Sequence, residues 1–168
     1  MEGFKAIKYE LQNIIKGKGI EGESRSVWSA KAYIGNHTQP GGQAENTKPG
    51  RTEEERALKN YAREKGLLLQ KNDLGVYITS GAEQKVFYKE GDNTIYKIAD
   101  AIFYASWNDY FNSLLLNNYF FADTAYTLIG FLEEEDKIFA VVKQQFVLLT
   151  ETTNLDVEKP PACQWICS

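Results

Sequence analysis

The stretch that organises the rest of the chain begins with Gly75-Val-Tyr-Ile-Thr-Ser-Gly-Ala-Glu-Gln-Lys-Val-Phe-Tyr88, followed by the turn Glu90-Gly-Asp-Asn93 and the run Thr94-Ile-Tyr-Lys-Ile-Ala99. Two β-rich runs joined by a Gly, Asp and Asn turn are typical of an antiparallel hairpin. Gly81 interrupts the first run, and Lys97 lies in the middle of the second. We therefore predict strands on both sides of the turn, with a glycine-containing bend in the first half.

The residues after this hairpin predict one helix and two more strands. The sequence Ser106-Trp-Asn-Asp109 is typical of a helix cap, and apolar residues then recur at helical spacing up to Leu115, with Asn117-Asn118 as the expected end. Strand-like runs at 126–133 and 137–148 are joined by a charged turn. The predicted fold class is α+β, in which an antiparallel sheet of about five strands packs against one helix.

Before the hairpin, the sequence predicts a helical extension over residues 1–66. Apolar residues at helical spacing predict a first helix that stops at Gly17-Lys-Gly19 and a second helix from Ser26 to Ile34. Residues 36–50 are rich in Gly and Pro and poor in apolar side chains, which favours a mobile linker. A capping box at Thr52-Glu-Glu-Glu55 predicts the start of a third helix, which Gly66 ends. The expected division is therefore 1–66, a sheet-containing lobe 67–149, and an irregular tail 150–168.

The composition limits the class of protein and its partners. Of the 168 residues, 43% are hydrophobic and 13% aromatic, which is enough apolar surface for a folded core and excludes general disorder. The net charge of −4 and the scattered Lys and Arg residues give no support to nucleic-acid binding. No apolar run approaches the ~20 residues of a membrane span, and no signal peptide is recognisable. We predict a cytoplasmic protein that binds neither nucleic acid nor membrane.

The cysteine and histidine residues do not predict a metal site. Cys163 and Cys167 lie close together near the end of the sequence, whereas the single histidine, His37, lies in the predicted linker. A zinc site needs more ligands than this pair of thiols supplies. We therefore predict two reduced thiols and no bound metal.

Four stretches in the second half of the chain resemble a known family. They are Ser80-Gly-Ala-Glu-Gln-Lys-Val86, Tyr96-Lys-Ile-Ala-Asp100, Leu114-Leu-Leu-Asn-Asn-Tyr-Phe-Phe121 and Val142-Lys-Gln-Gln-Phe146. Through them the segment 74–156 resembles the small lobe of a protein kinase, and in particular the kinase domains of polyvalent proteins encoded by mobile elements of Bacteroides-like bacteria. The resemblance implies a kinase-like small lobe preceded by the helical extension.

The resemblance implies ATP as the ligand and assigns it to the hairpin. Gly81 corresponds to a glycine of the loop whose backbone amides close over the nucleotide phosphates. Val86 corresponds to the strand valine that contacts adenine. Lys97 lies where kinases have the strand lysine that contacts the α- and β-phosphates.

The resemblance also implies a partner for Lys97 and a hinge. In kinases the strand lysine pairs with a glutamate of the following helix, and Asp109 is the acid that the corresponding helix offers here. Gln144 and Gln145 lie where the kinase hinge contacts adenine through its backbone N–H and C=O groups. The cofactor-binding residues that we expect are therefore Gly81, Val86, Lys97, Asp109, Gln144 and Gln145.

The catalytic half of a kinase has no recognisable counterpart in the sequence. The H-R-D catalytic loop and the D-F-G metal motif are both missing. We therefore predict a truncated or degenerate kinase-like domain, a pseudokinase, with weak nucleotide binding and without phosphotransfer. The alternatives are a protein-interaction module that presents its exposed sheet face to a partner or a second copy, and a half-kinase that needs a separate large lobe.

The composition changes sharply after Asp156. Pro160-Pro161 would block a helix there, and both cysteines and Trp165 follow closely. We expect this tail to follow a frameshift or truncation that removed a large lobe. The alternative is that the tail folds back and buries Trp165 and Ile166 on the sheet.

Overall fold

The structure is a computed structural model that describes residues 2–38 and 48–146. Within these residues, the α-helices are α1 (Glu2–Ile15), α2 (Ser24–His37), α3 (Lys48–Lys65) and α4 (Trp107–Phe120). The strands are β1 (Val76–Ser80), β2 (Lys85–Tyr88), β3 (Thr94–Ala99), β4 (Thr127–Glu134) and β5 (Lys137–Gln145), and short 3-10 helices occur at Lys71–Leu74 and Ala122–Thr124. None of the described helices is both long and apolar enough to cross a membrane.

The five strands form one antiparallel sheet in the order β1-β2-β3-β5-β4. Strand β3 lies in the middle, so Lys97 has Val86 as its neighbour on β2 and Val142 as its neighbour on β5. Helix α4 connects β3 to β4 and packs on the sheet. The predicted α+β class, with a kinase-like small lobe, is therefore confirmed.

One face of the sheet, the inner face, packs against α2, α3 and α4. Helix α4 contributes large buried side chains at helical spacing, among them Trp107, Phe111 and Leu115. Ala99 and Val142 meet them from the sheet. Because alternate residues of a strand point to the same face, Lys97 shares the inner face with Ala99.

The opposite, outer face has a smaller core of its own. Phe87, Ile98 and Val141 pack there against the buried side chain of Leu74. The backbone of Leu67 and Leu69 hydrogen-bonds with that of Phe131 on β4, so this segment also covers the β4 edge. The outer face is therefore partly covered by the chain that leads into β1.

Three predicted boundaries differ from the structure. Helix α3 begins at Lys48, one turn before the predicted capping box, so Thr52 does not start the helix. Helix α4 continues past Asn117-Asn118 to Phe120 because the Asn118 side chain is buried and hydrogen-bonded rather than exposed at a helix end. Helix α2 extends to His37, so both ends of the predicted linker 36–50 are helical. Residues 39–47 of that linker and the predicted tail 150–168 lie outside the described part of the chain.

Candidate functional site

A cavity of about 460 Å³ lies between the β1–β2 turn, the inner face of the sheet and helix α4. The turn contributes the residues 81–84, and the strands contribute Val86 and Lys97. The remaining lining residues are Tyr104, Ser113, Leu114, Asn117 and Tyr126. The cavity therefore brings together three of the six residues expected from the sequence, namely Gly81, Val86 and Lys97.

The glycine turn closes one side of the cavity. The backbone N–H of Gly81 donates to the carbonyl oxygen of Gln84 at 2.9 Å, which closes the turn between β1 and β2. A methyl group built on Gly81 would have no heavy atom within 4 Å. The space beside this backbone is open, as the approach of a ligand to the turn requires.

Lys97 presents its ammonium group to the cavity from the middle of β3. Its Nζ donates to the hydroxyl oxygen of Tyr126 at 3.1 Å and lies 5.0 Å from the centroid of that ring. No carboxylate in the described part of the chain forms an ion pair with Lys97. Its positive charge is therefore not neutralised by a neighbouring acid.

Tyr126 is held from behind by Asn118 of α4. The Asn118 side chain accepts from the backbone N–H of Tyr126 at 2.7 Å and donates to its backbone carbonyl at 2.8 Å. The same amide nitrogen donates to the hydroxyl of Ser24 at 3.1 Å. Sequence reasoning missed both residues: Asn118 served only as a helix stop, and Tyr126 only as the start of a strand.

Asp109 is not brought to Lys97. It lies in the first turn of α4, where its backbone N–H donates to Ser106 Oγ at 3.0 Å and its carboxylate accepts from that hydroxyl at 2.8 Å. Ser113 and Asn117 lie one and two turns later on the same side of the helix and line the cavity instead. Asp109 is on the same side of α4 but in its first turn, where its carboxylate binds Ser106, and it is not among the residues that line the cavity.

Gln144 and Gln145 lie at the end of β5, outside the lining of the cavity. The Gln144 side chain donates to the backbone carbonyl of Thr124 at 2.7 Å, which ties β5 to the short helix after α4. Beyond it, the Phe146 N–H donates to the Asn93 carbonyl at 2.8 Å. The predicted hinge residues thus have structural partners within the described chain.

Asn117 and Glu83 contribute an amide and a carboxylate to the lining of the cavity. Asn117 Oδ1 and the hydroxyl of Tyr110 are buried and have no hydrogen-bond partner among the described residues. Burial raises the pKa of Tyr110, so this hydroxyl stays protonated. The carboxylate that lines the cavity, Glu83, accepts from the Tyr104 hydroxyl at 3.5 Å. Lys97 and the open glycine turn are the features of this cavity that suit an anionic group.

Helix α3 fixes the loop that enters α4. The Arg51 guanidinium donates to three backbone carbonyls of this loop: Asp100 at 2.6 Å, Ala101 at 3.0 Å and Tyr104 at 3.2 Å. One turn along α3, the buried carboxylate of Glu54 accepts from the backbone N–H of Trp107 at 2.8 Å. Sequence reasoning placed Glu54 only in a first helical turn, because a partner 53 positions away leaves no local signal.

Within the described residues, no group of three His, Cys, Asp or Glu side chains is arranged to hold a metal ion.

Comparison with known proteins identifies a family. A family model described as the serine/threonine/tyrosine kinase found in polyvalent proteins matches residues 51–159. Searches of curated proteins and of solved structures found no match. The matched range covers more than half of the chain and includes every residue that lines the cavity. The chain therefore belongs to the family of kinases found in polyvalent proteins.

Proposed function

We propose that this domain binds ATP in the cavity, with Lys97 in contact with its phosphate groups, and that it does not itself transfer a phosphoryl group. The observation that carries the proposal is the ammonium group of Lys97, which faces the cavity beside the open glycine turn and has no carboxylate partner among the described residues. Membership of a kinase family supports the same ligand.

The environment of Lys97 favours an anionic ligand. Its strand neighbours are Val86 and the buried Val142, and its side chain lines the cavity. Charges interact more strongly next to low-dielectric walls than in open water. A phosphate group that enters the open space beside Gly81 would meet this charge. The apolar side chains of Val86 and Leu114 supply surface for the base.

The second half of the proposal rests on the groups that phosphoryl transfer requires. A kinase positions metal ions with acidic and amide side chains and orients the substrate hydroxyl with an aspartate. The sequence contains neither the H-R-D nor the D-F-G motif that supplies them. Glu83 is the one carboxylate among the described residues that line the cavity, whereas a kinase holds its metal ions with an aspartate and an asparagine. We infer a pseudokinase that binds its nucleotide without using it.

Calorimetric titration with ATP, with and without Mg²⁺, tests the binding. Lys97→Met removes the charge and keeps most of the stem, so we expect it to weaken ATP binding by roughly tenfold or more. Lys85→Met on β2 is the matched control, because Lys85 does not line this cavity. Equal affinity of the wild type and Lys97→Met for ATP would contradict the proposal. Radiolabelled phosphate transfer that depends on Lys97 would contradict its second half.

A second candidate function is self-association through exposed aromatic residues. Helix α4 ends with Phe120, which is 56% exposed, and Phe121 beyond it is 60% exposed, while Phe146 beyond β5 is 46% exposed. The hydrogen bond from Gln144 to Thr124 holds these two chain segments at the same end of the sheet. Clustered exposed aromatic side chains favour association with another surface. Light scattering tests this: we expect the mass of the wild type to fall on dilution and that of Phe121→Ser to be that of a monomer at every concentration. A wild type that is monomeric at all concentrations would contradict self-association.

A further inference from the structure

Tyr126 occupies the position beside Lys97 that an acidic side chain would take in an ion pair. Its hydroxyl accepts from Lys97 Nζ at 3.1 Å, and its ring lies within cation–π distance, with the centroid at 5.0 Å. A phenol hydroxyl can hold an ammonium group in place, but it is neutral. Tyr126 therefore fixes the direction of Lys97 without cancelling its charge.

The position of Tyr126 is itself determined by other elements. Asn118 of α4 binds both backbone polar groups of Tyr126, with its own side chain only 7% exposed. Two serines of α2 complete the arrangement: Ser24 accepts from Asn118 Nδ2, and Ser26 accepts from the backbone N–H of Leu128 at 3.1 Å. A buried amide with all these bonds satisfied is a rigid support. The entrance to β4, and with it Tyr126, is thus fixed by the helices before Lys97 meets any ligand.

We propose that Tyr126 is the positioning residue for Lys97: it holds the ammonium group towards the phosphate groups of the nucleotide and replaces the helix carboxylate that kinases use. This inference rests on the nucleotide site proposed above. Asp109 does not take this role, because its carboxylate accepts a hydrogen bond from Ser106, the residue that caps the start of α4. The consequence is a lysine that is directed before binding and keeps its full charge for the ligand.

A double-mutant cycle on the full chain tests the proposal through ATP affinity measured by calorimetry. Tyr126→Phe removes only the hydroxyl, and we expect it to weaken ATP binding by roughly five- to tenfold. Because the hydroxyl acts through Lys97, we expect Tyr126→Phe to add less than about twofold in a Lys97→Met background. Tyr96→Phe, which removes a hydrogen-bonded phenol hydroxyl on β3 that does not line the cavity, is the matched control and should change affinity by less than about twofold. Thermal unfolding of each variant shows whether the fold survives.

The outcomes separate the two proposals. If Lys97→Met binds ATP as the wild type does, the nucleotide site itself is wrong. If Lys97→Met weakens binding but Tyr126→Phe does not, or if Tyr126→Phe has its full effect without Lys97, the positioning role is overturned.

A measurement without nucleotide covers the case in which ATP does not bind at all. The ring of Tyr126 should shift the NMR signals of the terminal methylene of Lys97, because the ammonium group lies 5.0 Å from the ring centroid. We expect this shift to persist in Tyr126→Phe and to disappear in Tyr126→Leu. The same Lys97 signals in the wild type and in Tyr126→Leu would show that the two side chains do not meet, and would overturn the inference.

Discussion

The carboxylate of Glu54, in the middle of α3, accepts a hydrogen bond from the backbone N–H of Trp107, the first residue of α4, at 2.8 Å. The orphan N–H groups at the start of a helix are usually satisfied by a nearby cap. Here Ser106 provides such a local cap for Asp109, and Glu54 provides a second one from another helix. The side chain of Glu54 is only 9% exposed, so α3 and α4 are joined by a buried ionisable group.

This burial gives the free energy of unfolding a definite pH dependence. Burial raises the pKa of Glu54, and the opposing hydrogen bonds from the Trp107 and Asn108 amides do not cancel the effect. A carboxyl group with a raised pKa in the folded state binds its proton more tightly there than in the unfolded chain. Its contribution to stability is therefore largest below the ordinary value of 4.5 and falls as the pH rises through the raised pKa.

We expect Glu54→Gln to remove this part of the pH profile. The glutamine keeps an oxygen acceptor for the Trp107 N–H but carries no charge, so its gain in stability relative to the wild type should be larger at pH 7 than at pH 4.5. Urea denaturation at a series of pH values measures it, and the exposed Glu53→Gln on the same helix is the control for loss of a charge. A Glu54→Gln profile parallel to that of the wild type would show that Glu54 does not titrate in this way.

The Arg51 guanidinium should stabilise the loop before α4 through the geometry of its hydrogen bonds as well as through its positive charge. It donates to three backbone carbonyls at once, which an ammonium group cannot match in geometry. We expect Arg51→Lys to lower the free energy of unfolding by about 1–3 kcal/mol, and Arg56→Ala on the exposed side of α3 to change it by less than about 0.5 kcal/mol. Chemical denaturation measures both free energies of unfolding. Similar effects of the two variants would contradict the role of the three hydrogen bonds from the Arg51 guanidinium.

Gly130 should be required for the close approach of the Leu67 backbone to strand β4 at the edge of the sheet. A methyl group at this position would lie 2.4 Å from the carbonyl oxygen of Leu67, the atom that accepts from the Phe131 N–H. We expect Gly130→Ala to cost about 1–3 kcal/mol of stability. The matched control is Gly35→Ala, inside α2 and with open space around the added methyl group, which should gain about 0.5–1 kcal/mol. Equal thermal midpoints of the two variants would show that the close approach at Gly130 is relieved at little cost.

The sequence predicted the sheet and α4 well because their signals are local. Alternating strands around a Gly, Asp and Asn turn and the apolar period from Trp107 to Leu115 are confirmed by β2, β3 and α4. It predicted the supports of the site poorly because they act over long separations. Arg51 contacts a loop about fifty positions later, and Ser24 meets Asn118 across 94 positions. Asp109 was chosen as the partner of Lys97 because it is the acid of this helix, whereas the cavity is lined by Ser113 and Asn117, one and two turns further along α4.

The adjacent residues Asn117 and Asn118 of α4 have opposite hydrogen-bonding environments, so the same substitution should affect stability differently at each. Asn118 satisfies the backbone N–H and C=O of Tyr126, whereas Asn117 Oδ1 has no partner among the described residues. Removing the Asn118 side chain leaves two partly buried backbone groups of Tyr126 unpaired, and we expect Asn118→Ala to cost about 2–3 kcal/mol. Asn117→Ala removes an unpaired oxygen and gains helix propensity, so its stability should match or exceed that of the wild type.

Two measurements distinguish these asparagine variants. Urea denaturation gives the stability of each, and hydrogen exchange reports the backbone N–H of Tyr126 directly. We expect exchange at Tyr126 to accelerate in Asn118→Ala beyond what the global loss of stability explains, since the N–H then has no acceptor. In Asn117→Ala it should keep the protection of the wild type. Unchanged protection of Tyr126 in Asn118→Ala would mean that another group holds this backbone, and that the support of Lys97 does not pass through Asn118.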